Sequence, residues 1–114
     1  MMNFKYKFVN LTPHVVVIQM PDGLKIKIKP SGDIARVCTE DIKLDKKING
    51  IPCIHRKLTY EVEGLPEPRD NTYYIVSALV YYTLSGRDDI LVPDTSSIQT
   101  KRGDIRVVKQ FIIK

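Results

Sequence analysis

Residues 73–86 read Tyr73-Tyr74-Ile75-Val76-Ser77-Ala78-Leu79-Val80-Tyr81-Tyr82-Thr83-Leu84-Ser85-Gly86. The first four, aromatic and β-branched, predict a short strand. Ser77 is a good N-cap residue and Gly86 a good stop, so residues 78–85 are expected to form a helix of about two turns. The helix is apolar nearly all round, the mark of a buried one. Its β-branched content leaves one continuous strand as the alternative. This is the single helical segment in a chain that otherwise reads as strands.

Upstream, Phe4-Lys5-Tyr6-Lys7-Phe8 and Leu24-Lys25-Ile26-Lys27-Ile28-Lys29 alternate apolar residues with lysine. That period of two belongs to half-buried strands with one wet face. The lysines keep that face soluble and guard strand edges. Residues 15–20 are apolar on both faces and predict a central strand. Pro21-Asp22-Gly23 closes a hairpin to the next strand, and Pro30-Ser31-Gly32 makes a second turn. Asn49-Gly50, the strongest hairpin signal, links residues 42–48 to 51–58. Residues 59–63 alternate again, with Tyr60 and Val62 inward. Residues 64–71 form a loop whose two prolines predict an ordered, extended path.

Downstream, residues 90–94 predict a short strand stopped by Pro93. Residues 95–104 are polar, with a turn at 101–104, and residues 105–113 predict one final strand. No repeat, low-complexity tract or domain boundary interrupts the chain. The expected architecture is a single domain over 1–114, α+β and mostly β. It is a sheet or partly open barrel of about eight short strands around one short buried helix.

A length of 114 residues, with 43% hydrophobic and 27% charged side chains, suits one modest globular core. No stretch approaches the roughly 20 apolar residues of a membrane span, and the first residues carry no signal-type apolar block. A cytoplasmic protein without membrane contact is expected. Cys38 and Cys53 form neither a CxxC nor a disulfide framework, so they read as reduced thiols in a reducing compartment. A disulfide between two pairing strands is the alternative. Residues 1–57 hold eleven basic against five acidic side chains, and residues 58–114 seven against eight, so the first half carries the whole net charge of +5. This asymmetry points to an anionic partner. Lysines lining the wet faces of strands explain it equally.

The chain has no GxxxxGK[ST], GxGxxG, HExxH, GxSxG or paired CxxC, which removes the commonest nucleotide hydrolases, dinucleotide enzymes, zinc proteases and serine hydrolases. Cys53 and His55 project from one strand face, though that spacing alone does not make a nucleophile–base pair. Two histidines and two cysteines match no zinc spacing, and neither metal nor cofactor is expected. Ser77 lies where a strand feeds a helix and could meet an anion. Arg69 precedes that strand, and Arg87-Asp88-Asp89 follow the helix. Arginines grip phosphate or carboxylate bidentately; the alternative is that Arg87 caps the helix end and pairs with an aspartate. His14 follows Pro13 at the mouth of a strand. Lys5, Lys7, Lys25, Lys27 and Lys29 form one cationic surface if their strands adjoin. Nucleic acid is not expected there, because exposed aromatics do not interleave with the cations.

Several blocks together resemble a family of small uncharacterised proteins found in phages, archaeal viruses and prokaryotic genomes. They are Phe8-Val9-Asn10-Leu11-Thr12-Pro13-His14, Pro30-Ser31-Gly32 through Ala35-Arg36-Val37, Gly50-Ile51-Pro52, Glu61-Val62-Glu63-Gly64-Leu65-Pro66-Glu67-Pro68, Tyr74-Ile75-Val76-Ser77 and Arg87-Asp88-Asp89-Ile90-Leu91-Val92-Pro93-Asp94. The resemblance implies a viral or mobile-element source, hence a host cytoplasm, and no particular activity. Its polar residues fall at strand ends and loops, where binding residues tend to sit.

The expected function is non-enzymatic capture of a small anionic, nucleotide-like ligand. Arg36, Arg69 and Arg87 would hold the anion, Ser77 would offer its hydroxyl and a backbone N–H, and His14 would donate a hydrogen bond. The alternative is a structural or interaction module, such as a virion accessory or a small homo-oligomer that caps a sheet edge. A hydrolase using His14 with Asp88 or Asp89 is the third reading.

Overall fold

The computed structural model describes residues 5–97, 99–101 and 105–114. In chain order the elements are β1 (Lys7–Asn10), β2 (Val16–Gln19), β3 (Lys25–Ile28), β4 (Arg36–Ile48), β5 (Ile51–Glu63), β6 (Thr72–Ile75), α1 (Ala78–Thr83), β7 (Ile90–Pro93), β8 (Gln99–Lys101), β9 (Ile105–Val108) and β10 (Phe111–Ile113). A single 3-10 turn spans Thr95–Ser97. Phe4 and most of the turn at 101–104 lie outside the described residues.

The central sheet has the order β1-β6-β7-β10. β1, β6 and β7 run parallel and β10 antiparallel to β7. Successive side chains of a strand point to opposite faces, so a sheet covered on both sides must be apolar at every position. Tyr74, Val76, Ile90 and Val92 enter one core with Leu11, Ala35 and the helix residues Val80 and Tyr81. Ile75 and Leu91 enter the other with Val16, Ile18 and Val108. The second core lies against a sheet of order β3-β2-β9-β8. The first lies under α1 and the base of the β4–β5 hairpin, from which Val37 and Val62 reach in. Among the described residues the protein is thus mostly β with one short helix, its sheets layered and none closed into a barrel.

Three details depart from the sequence reading. The helix is not wrapped by strands: it lies on the outer face of the central sheet, with Val80 and Tyr81 buried but Leu79 51% and Tyr82 70% exposed. It also stops at Thr83, because Leu84 is already extended. The expected last strand is two strands: β9 pairs with β2 and β10 with β7. The break lets the chain cross between sheets while Val108 and Phe111 feed the same core.

The largest departure is the β4–β5 hairpin, two 13-residue strands where shorter ones were expected. Asn49 (φ 50°) and Gly50 (φ 79°) make its turn with the paired positive φ values of a type I′ hairpin. Beyond Thr39 and Leu58 it pairs with nothing else among the described residues. At about 3.3 Å per residue the arm projects some 30 Å, and the molecule measures 62 × 36 × 24 Å. A bulge at its base leaves Cys38 of β4 opposite three residues of β5, the middle one being Tyr60 at φ 64°.

Two substitutions there should act in opposite directions. Gly64 has φ 81°, and a Cβ on it would lie 2.3 Å from the Ile34 carbonyl oxygen, so Gly64→Ala should cost about 3 kcal/mol in urea unfolding. Tyr60 is 77% exposed, so Tyr60→Gly relieves the positive φ and should leave stability unchanged or raise it by up to about 1 kcal/mol.

Candidate functional site

Because β1, β6 and β7 are parallel, their C-terminal ends deliver three connections to one rim, the usual ligand-binding edge of open parallel sheets. β1 leads to Leu11-Thr12-Pro13-His14, β6 to Val76-Ser77 and α1, and β7 to Asp94. Asn10, 1% exposed, organises this rim. Its Nδ2 donates to the carbonyls of His14 (2.8 Å) and Ile28 (3.0 Å). Its Oδ1 accepts from the Thr12 N–H (3.0 Å) and hydroxyl (2.7 Å). The side chain therefore folds the loop after β1 and ties it to the end of β3.

Beside the clamp lies an open groove of about 300 Å³, walled by Leu11, Pro13, Ile34, Val37 and Leu79 with Arg36 and Ser77 among its lining. Arg36 is exposed and faces Glu63 across the hairpin. The Ser77 hydroxyl accepts the Val80 N–H at 3.4 Å. His14 is exposed just beyond the groove wall. Three of the five expected binding residues thus gather at this rim.

Arg69 and Arg87 do not join them. They precede β6 and β7, at the opposite end of the parallel strands. Arg87 is engaged elsewhere: its Nε and Nη2 donate to Asp89 at 2.8 Å each, and Nη2 also donates to the Pro66 carbonyl at 3.1 Å. Its guanidinium lies 5.9 Å from the centre of the Tyr74 ring. Side-chain exposures of 20% and 12% make this a largely desolvated pair. Hydrogen bonding from Arg87 holds the Asp89 carboxyl below its ordinary range, against the opposing effect of burial. The expected pairing with an aspartate is present, while the helix end is met by the Lys114 ammonium at the Leu84 carbonyl. Arg69 is exposed, without a hydrogen bond or ion pair among the described residues.

The hydrolase geometry is not formed: His14 follows β1 while Asp88 and Asp89 precede β7 at the opposite end of the parallel strands, and Asp89 is bonded to Arg87. Cys38 and Cys53 are free thiols. Partial desolvation, then Glu63 and Glu61, push the Cys38 thiol up, which disfavours a nucleophilic thiolate. Among the described residues no cluster of His, Cys, Asp and Glu could hold a metal ion, and no helix is long and apolar enough to cross a membrane. Lys7 lies on β1 of the central sheet, while Lys25 and Lys27 lie on β3 of the other, so these strands are not partners within one sheet.

The arm was not foreseen as a site. It exposes Ile42, Leu44, Ile48, Ile51 and Ile54 by 43–64%. The available signal was Ile48-Asn49-Gly50-Ile51, a turn flanked by isoleucines in strands whose apolar residues keep to no single face. No family model matches the chain, and no curated protein or solved structure matches it.

Asn10→Ala should cost about 2–3 kcal/mol, by removing the clamp and leaving the part-buried groups it holds without their partner. Asp89→Asn should cost about 2 kcal/mol at neutral pH. A carboxylate held low in the folded state stabilises above its unfolded pKa, near 4, and that stability is lost as the pH falls through the folded value. Wild-type stability should therefore drop below about pH 4, and the drop should be shallower in Asp89→Asn, as urea midpoints between pH 2 and 7 will read.

Proposed function

We propose that this protein is a non-enzymatic interaction module whose β4–β5 arm lies against another protein chain. The arm itself carries this reading. A two-stranded ribbon is marginal in water unless it packs on something, yet this one is wet on both faces and studded with exposed isoleucines. The chain exposes 8873 Å², against about 6,400 Å² expected for a compact fold of 114 residues. Its radius of gyration is 17.4 Å, against about 13 Å for a compact chain of this length. The excess, about 2,500 Å², exceeds the roughly 800 Å² per partner of an ordinary stable interface. A virion accessory or small assembly of the kind implied by the resemblance to phage and archaeal-virus proteins would use such an arm.

A second reading, capture of a small anionic ligand such as a nucleotide, is favoured by one observation: the groove brings Arg36 and Ser77 together. Arg87 stands apart from that groove, before β7 and bonded to Asp89 and the Pro66 carbonyl.

Hydrogen exchange separates the two. Arm amides in the complex should exchange at least about a hundredfold more slowly than in the dilute chain. Ile48→Lys with Ile51→Lys, both at exposed positions, should abolish that protection while shifting Tm by no more than about 2 °C. Arm exchange that is equally fast in dilute solution, in concentrated solution and in extract of the expressing cell, alongside a nucleotide that raises Tm, would favour the groove instead.

A further inference from the structure

The partner's identity can be argued from the arm's own charges and symmetry. This rests on the arm being an interaction surface. The tip segment carries Lys43, Lys46 and Lys47 against Asp45, whereas the base carries Glu61 and Glu63 against Arg36. The middle is balanced, with Asp41 bonded to Arg56 at 2.8 and 3.0 Å and Glu40 facing Lys57. Glu61 and Glu63 lie on β5, so a chain added along β4 meets instead Asp41 and Lys43, which flank Ile42 on either side.

The outer edges differ. β5 contains Pro52, which has no N–H to offer a new neighbour, whereas β4 has no proline from Arg36 to Ile48. The β4 edge is therefore the better one for adding a strand. Its regular ladder runs from Thr39↔Leu58 to Lys43↔Ile54, and the irregularity between Lys43 and Lys47 ends flat pairing there.

We propose that two copies of this chain join β4 to β4 in antiparallel, about a two-fold axis through Ile42, making a four-stranded sheet of the two arms. A two-fold axis normal to the sheet keeps every residue on its own face, so it must pass through a residue, within 39–43. On residue 40, 41 or 43 it would set Glu40, Asp41 or Lys43 against its own copy, which is repulsive. On residue 39 it would drive each tip beyond the partner's arm base into its body. On residue 42 it pairs Ile42 with Ile42 and Asp41 with Lys43 twice, once on each side. This arrangement covers the free β4 edge over its regular ladder, from Thr39 to Lys43.

The test uses the full chain with Cys38→Ser and Cys53→Ser. Directly opposed residues of an antiparallel pair have Cα atoms about 4.5–5.5 Å apart, within disulfide reach. Ile42→Cys should therefore oxidise to a covalent dimer, while Thr39→Cys, three residues from the axis on each strand, should not. In sedimentation of the uncrosslinked protein, Lys43→Glu should raise the dimer Kd at least about tenfold. Cross-linking by Thr39→Cys in place of Ile42→Cys would overturn the register. A monomer at about 100 µM whose arm is nonetheless protected in extract would overturn the second copy and leave the interaction reading standing. A monomer with an unprotected arm everywhere would overturn both.

Discussion

The structure depends on β6 and β7 being apolar on both faces. Tyr74 and Val76 look into one core while Ile75 looks into the other, and Ile90, Leu91 and Val92 repeat the alternation. Each large apolar side chain so buried contributes about 1.5–3 kcal/mol, so a polar residue at any of these positions would uncouple one layer. The parallel order of β1, β6 and β7 then sorts the polar residues between two rims: Asn10, Thr12 and Ser77 at one, Arg87 and Asp89 at the other. The arm departs from the same core through Val37 and Val62, so its root is firm although its length is bare.

Much of this was legible in residues whose chemistry acts locally. The double-faced run at residues 15–20 became β2, flanked by β3 and β9, and Asn49-Gly50 made its type I′ turn. Ser77 capped the helix as a serine in that place should. What could not be read depends on partners distant in the chain. Residues 105–113 look like one strand, because nothing in Lys109-Gln110 says that the flanking segments belong to different sheets. The arm's length was hidden for a similar reason: its bulges break the period of two at the points where the pairing continues.

The candidate site was half legible. Polar residues at strand ends read as binding groups, and several turned out to build the fold. Asn10 and Thr12 close the loop after β1, Arg87 and Asp89 lock the entry to β7 against Pro66, and Gly64 lets the chain pass against Ile34. Asp94 receives the Ser96 N–H and hydroxyl and the Gln110 amide, which hold its carboxyl low. Arg36 and Ser77 are left as polar groups on the rim of an apolar groove.

The crossing from β9 to β10 bears on how the molecule is made. β9 completes the pairing of β2, and β10 covers the open edge of β7, so both sheets wait for residues 105–113. A ribosome delivers those residues last among the described ones, long after residues 36–63 have emerged, so synthesis passes through a stage in which both sheets of the body are still open. During that stage the uncovered edge of β7 and the side of β2 that β9 will occupy are the surfaces a chaperone has to shield.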